Sequence, residues 1–88
     1  MKTAKQLERH FKGVANHHRI DILRLIAREE GISLEAIAES LNCNIKTISE
    51  HTKKLVQSGL VNKAYKGRMV THMLSSYGKT FHKFTLTF

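Results

Sequence analysis

At Gly59 the spacing of apolar residues changes from helical to alternating, and that switch restricts the chain to helices first and a β-ribbon after. Upstream, Leu7, the pair His10 and Phe11, Val14 and Ala15 recur at helical spacing, predicting a first amphipathic helix from Thr3 to about Ala15. Asn16 is suited to cap a second helix, roughly His17 to Glu30, with Ile20, Leu23, Ile26 and Ala27 as its apolar stripe. Gly31 supplies the left-handed residue that ends it. One or two extended residues fit at Ile32. Ser33 then caps a short third helix, Leu34 to Leu41, with Glu35 in the first turn, where the helix dipole favours a carboxylate. Asn42 to Asn44 read as a polar turn, Asn44 caps a fourth helix, and Gly59 closes it just after Ser58.

Downstream, Leu60 to Tyr65 and Arg68 to Leu74 read as strands joined by a hairpin turn at Lys66-Gly67. The tail, Ser75 to Phe88, repeats the cap pattern and sets Tyr77, Phe81, Phe84 and Phe88 at helical intervals, although Thr80, Thr85 and Thr87 are weak helix formers. The expected fold is mainly α with a small β-hairpin wing, and two helices joined by three or four residues, the second basic, outline a winged helix-turn-helix. No proline, repeat or low-complexity tract divides the chain, so residues 1–88 read as one domain: a helix-turn-helix at 34–58, a wing at 60–74, and outer helices at 3–15 and 76–88. A chain near 88 residues buries only about 60–65 % of its unfolded surface, enough for one core.

The net charge of +8 is unevenly held. Residues 1–44 carry seven Lys/Arg against six Asp/Glu, whereas residues 45–88 carry eight against Glu50 alone. Such a field suits a polyanion: DNA, RNA or an anionic surface. The lone Cys43 excludes an internal disulfide and fits a reducing compartment, and no apolar run approaches the roughly 20 residues of a membrane span. These features predict a cytoplasmic protein without a membrane partner.

Several stretches resemble the ArsR-like repressors of bacteria and archaea. "NHHRIDILRLI" looks like that family's Arg-x-x-Ile-Leu helix, through Arg19, Ile22 and Leu23; "SLEAIAESL" is similar to the helix before the recognition helix. "TISEHTKKLVQSGLV" carries a Ser-x-His signature followed by Leu and Gly-Leu-Val, through Ser49, His51, Leu55, Gly59, Leu60 and Val61. "KGRMVTHML" is similar to the wing, with Gly67 and Arg68 at its tip, so the match spans Asn16 to Leu74. Three positions depart: Thr52 and Lys54 replace apolar residues, and His72 replaces a tyrosine. The resemblance implies a dimeric winged helix-turn-helix transcriptional regulator. Its best-known members sense metals through a Cys-x-Cys pair in the third helix or Asp/His clusters in the last helix, and here Ser33 and Glu35 occupy the paired-cysteine positions. With no cysteine pair and no i, i+4 histidine pair, no metal and no cofactor is expected.

Wound at about 100° per residue, the fourth helix turns Ile45, Ile48, Thr52, Leu55 and Val56 toward the core. Lys46, Thr47, Glu50, Lys53, Lys54 and Gln57 fall opposite, with Ser49 and His51 at the seams. The opposite face is what a major groove would meet. Lys46 suits guanine acceptors and Thr47 a thymine methyl, while Ser49 and His51 suit either backbone contact or a structural role. Glu50 has two readings: it accepts from cytosine N4, or it pairs with Lys46, Lys53 or Lys54. Lys63, Lys66, Gly67 and Arg68 of the wing suit phosphates or the minor groove.

The aromatic run of the last helix is a large apolar surface for so short a chain. Leu7, Phe11, Val14, Tyr77, Phe81, Phe84 and Phe88 are therefore the expected homodimer interface, unless they complete the monomer's own core. No nucleophile and base stand in a catalytic context, so no catalytic residue and no enzyme activity are expected. The favoured function is sequence-specific binding of double-stranded DNA by a dimeric regulator, of repressor type. A winged helix used for protein interaction or RNA binding is the alternative.

Overall fold

Polar caps set the helix starts. In the computed structural model, which describes residues 1–88, Thr3 and Gln6 form a reciprocal capping box at the head of α1 (Ala4–Val14). Asn16 Oδ1 accepts from the amides of His18 (2.9 Å) and Arg19 (3.3 Å) and starts α2 (His17–Arg28). A two-residue strand, β1 (Ile32–Ser33), leads into α3 (Leu34–Ser40), capped by Ser33 Oγ on the Ala36 amide at 3.1 Å. Asn42 makes the following turn with φ 51°, and Asn44 Oδ1 accepts from the Lys46 amide at 2.8 Å to start α4 (Ile45–Gln57). Then come β2 (Val61–Lys66), β3 (Met69–Leu74) and α5 (Ser76–Thr85), the last capped by Ser75 Oγ on the Gly78 amide at 3.0 Å.

The core forms where α2, α3 and α4 turn their apolar stripes inward. Ile22, Ile26, Ile37, Ile48, Leu55 and Leu60 are wholly buried, with Leu23 and Val61 almost so. Thr52, where the resembling family carries leucine, is also buried; its hydroxyl donates to Ser49 O at 3.0 Å, so the departure leaves no unpaired polar group. Ile45 departs from the helical-wheel expectation. It is 46 % exposed at the first position of α4, and the buried stripe begins one turn later at Ile48.

The three strands form one antiparallel sheet in the order β1-β3-β2. Ile32 pairs with His72, and the β2–β3 register runs from Val61 opposite Leu74 to Lys66 opposite Met69. The hairpin turn is therefore Gly67-Arg68, one residue later than expected. Gly67 has φ 63°, the left-handed geometry that a two-residue hairpin loop needs. His72 fastens the wing to the body: it is buried, and its Nδ1–H donates to Ile32 O at 3.1 Å. The resembling family's tyrosine is thus replaced by a side chain that ties β3 to β1.

Two glycines allow close helix contacts. A Cβ on Gly78 would overlap Leu60 O, so α5 lies directly on the start of β2. A Cβ on Gly13 would overlap the Ser58 side chain, so α1 closes on the end of α4. His10 joins the latter contact, donating from Nδ1 to Ser58 O at 2.6 Å.

Candidate nucleic-acid interface

With one side of α4 locked in the core by Ile48, Thr52 and Leu55, its other side is fixed toward solvent. Lys46, Thr47, Ser49, Glu50, Lys53, Lys54 and Gln57 are all exposed there. The wing adds Lys63, Lys66, Gly67 and Arg68, also exposed, with Tyr65 and Met69 beside them. Lys63 pairs across the ribbon with buried His72, so the inner strand is held while the outer strand carries charge.

Glu50 makes no ion pair. The molecule's one side-chain ion pair is Glu8 with Lys12 on α1, at 3.9 Å, so the pairing of Glu50 with Lys46, Lys53 or Lys54 is not formed. A carboxylate flanked by lysines but joined to none keeps all its lone pairs for another acceptor role. Surface pairs of this kind are worth only about 0.2–0.5 kcal/mol, too little to hold long side chains in place.

His51 is not a freely projecting reader. It is half-buried, and its ring stacks on His18 with centroids 5.4 Å apart and an interplanar angle of 28°; His18 in turn lies 4.0 Å from His17. Burial lowers the His51 pKa from its usual 6.5, Arg19 and His18 push it down further, and Glu50 alone opposes them among the larger influences. His72 is lowered as well, chiefly by burial, against its hydrogen bond to Ile32. Both rings thus favour the neutral form. No group of three or more His, Cys, Asp or Glu side chains is arranged to hold a metal ion. Cys43 is half-buried, its thiol donating to Leu41 O at 3.3 Å.

On the far side, α1 and α5 share an apolar cleft of about 250 Å³ lined by Leu7, Phe11, Phe81, Phe84 and Thr80. Phe11 meets Phe81 edge-on at 5.0 Å, while Tyr77, Phe84 and Phe88 remain substantially exposed. Val14 does not share this face: it is 9 % exposed and belongs to the core. Phe81 is half-buried and bridges core and cleft. The outer helices therefore complete the monomer's core through Val14 and Phe81 and still leave an apolar surface.

Sequence reasoning missed His18 and Arg19 as neighbours of the recognition helix. The His18–His51 stack, and the Arg19 charge that His51 feels, join positions over thirty residues apart, and no local spacing signals either.

The sequence over residues 14–64 matches the family model described as helix-turn-helix domain. Among solved structures, the chain is 26 % identical to the homodimeric winged helix-turn-helix DNA-binding domain of Mb0332 from Mycobacterium bovis, a possible ArsR-family transcriptional regulator. That alignment covers 94 % of this chain and 77 % of that one, with a TM-score of 0.87. HlyU from Vibrio cholerae shares the fold at 24 % identity, with 96 % of this chain and 91 % of that chain covered and a TM-score of 0.86. The transcriptional regulator HlyU from Vibrio vulnificus does so at 22 %, covering 96 % and 88 %, with a TM-score of 0.81. No curated protein matches the chain in sequence. No helix is long and apolar enough to cross a membrane.

Proposed function

The chain belongs to the helix-turn-helix domain family, in the ArsR-like winged form of transcriptional regulators, and from that premise we propose that it is a dimeric, sequence-specific binder of double-stranded DNA that represses by occupancy. The observation that carries this reading is the sidedness of α4. One face is welded to the core, and the other sets out three lysines, Thr47, Ser49 and an unpaired Glu50 in a fixed array, continuous in sign with the wing. Helices of this kind enter the major groove while basic ribbons contact the backbone or the minor groove.

In this reading Lys46 and Thr47 meet base edges at the start of the helix, and Lys53 and Lys54 contact phosphates further along. Ser49 orients or contacts the backbone. His51, stacked on His18, sets the angle of α4 against α2. Glu50 accepts from cytosine N4 and disfavours other registers by repelling phosphate. Gly67 and Arg68 bring the wing tip close to the duplex, with Lys63 and Lys66 behind them.

A single domain reads only a few base pairs, and a two-fold pair reads two half-sites about one helical turn apart. Mb0332 is homodimeric, and the exposed Leu7, Phe11, Tyr77, Phe84 and Phe88 supply a surface on which a second copy of this chain would pack. No catalysis is assigned: Ser49 and His51 lie on one helix without an oxyanion site between them.

Selecting preferred duplexes from a random pool with the purified protein tests this. Enrichment of a two-fold symmetric motif supports the reading. Tighter binding to single-stranded or duplex RNA, or no preference among DNA sequences at physiological salt, contradicts it.

A further inference from the structure

The chain passes from α4 to the wing through Ser58, Gly59 and Leu60, and the carbonyls of all three are held from outside both elements. His10 of α1 donates from Nδ1 to Ser58 O at 2.6 Å, Ser75 Oγ donates to Gly59 O at 2.7 Å, and the Ser75 amide donates to Leu60 O at 3.0 Å. Gly59 turns the chain there with φ 77°, and a Cβ on it would press on Arg9 and the His10 ring. The angle between α4 and the wing is therefore held by α1 and by the cap of α5 as well as by contacts between the two elements themselves.

His10 has a second set of neighbours. Its ring lies 5.0 Å from that of Tyr77 and 6.4 Å from that of Phe81, centroid to centroid, and Phe81 meets Phe11 edge-on. These are aromatic residues of the α1–α5 face, where Tyr77 and Phe11 are half-exposed. One buried imidazole thus touches the joint between the DNA-facing elements on one side and the face open to a second copy on the other. Its bond to Ser58 is exacting, because Ser58 is itself buried and a carbonyl that loses its donor there is left unpaired. Packing that steadies Tyr77 and Phe81 steadies the ring, and the ring steadies the carbonyl.

We propose that His10 is a positioning residue that couples the pairing of two copies to the grip of α4 and the wing on DNA. This rests on the pairing face and the DNA reading proposed above and adds a claim that neither contains. A second copy strengthens the hold of each single domain on its own half-site, beyond the gain from joining two domains on one duplex. By linkage, a bound half-site strengthens pairing by the same factor.

The test uses the full chain and a duplex carrying one selected half-site, too short for two domains. The wild-type chain should bind it at least about fivefold more tightly than Phe84→Glu, the lower end of ordinary coupling between sites. In a His10→Phe background, which keeps a ring and lacks the donor, adding Phe84→Glu should leave the affinity unchanged. His10→Asn places an amide donor near the position of Nδ1 and should restore the fivefold difference. A second measurement needs no substitution: the Gly59 nitrogen shares a peptide group with Ser58 O, so its resonance should move as the wild-type chain is diluted from dimer to monomer. A wild-type chain that sediments as a monomer, or that binds no duplex, overturns the proposed function and this coupling with it. A DNA-binding dimer whose Gly59 resonance is unmoved by dilution, whose half-site affinity is unchanged by Phe84→Glu, or whose His10→Asn variant is as uncoupled as His10→Phe, overturns the coupling alone.

Discussion

Helices α4 and α5 start alike, each with a polar cap and an apolar stripe, yet they end differently. The stripe of α4 disappears into the core through Ile48, Thr52 and Leu55, and its charged face is left outside. In α5 only Gly78 is buried, Phe81 is half-buried, and Tyr77 and Phe84 stay open. The difference lies in what each helix packs against. Helix α4 is enclosed by α1, α2, α3 and β2, whereas α5 packs on α2 and β3, lies against Leu60 through Gly78 and shares only an open cleft with α1. An amphipathic pattern thus fixes that a face is apolar, but the surrounding elements decide whether the monomer itself covers it.

The contrast predicts separable consequences. Ile48→Ala removes a wholly buried side chain from α4 and should cost about 2–5 kcal/mol, a large share of the roughly 4–13 kcal/mol that stabilises a domain of this length. Urea unfolding measures it, and a loss under about 1 kcal/mol would break the claim that α4 is the locked helix. Phe84→Glu on α5 should leave the unfolding midpoint nearly unchanged while weakening self-association by about a hundredfold, a hot-spot-sized loss near 2.7 kcal/mol. Sedimentation velocity reads the second effect. A monomeric wild-type chain, or a variant as dimeric as the wild type, would show that the open face of α5 has another purpose.

Smaller effects sharpen the account of α4. Glu50→Gln should relax the preference at one position of each half-site by about 1–2 kcal/mol, within the range of a single base contact, while leaving the fold intact. Unchanged base preferences at every position would remove Glu50 from readout. The histidines add a pH dependence whose sign is fixed. His51 and His72 both titrate below 6.5 when folded, so the unfolded chain binds more protons in that window. Their contribution to stability is complete above about pH 6.5 and is lost as pH falls through the lowered folded values. Urea midpoints measured from pH 7.5 down to 5 should decline, less steeply in His51→Gln. A rise on acidification would contradict the burial assigned to both rings.

Much of this was legible in local chemistry. The caps at Asn16, Ser33, Asn44 and Ser75 stand where short polar side chains precede apolar runs, because such side chains satisfy the first free amides of a helix. The wing was legible from its alternation, but the turn moved by one residue, since Lys66 still pairs with Met69 and leaves Gly67 and Arg68 to bend. What escaped was non-local. The pairing of β1 with β3, the His18 to His51 stack and the bond from His10 to Ser58 each join distant segments. Val14 shows the same limit on a smaller scale: its spacing assigns it to the apolar stripe of α1, but only packing assigns it to the core side.

The most direct test of the central claim, that an enclosed α4 reads DNA while an open α5 pairs two copies, is the mass of the complex formed on a selected duplex. Native mass spectrometry or sedimentation equilibrium should find two chains per two-fold symmetric duplex, and no such complex at the same concentrations with Phe84→Glu. One chain per duplex at undiminished affinity, or two chains retained by Phe84→Glu, would contradict it.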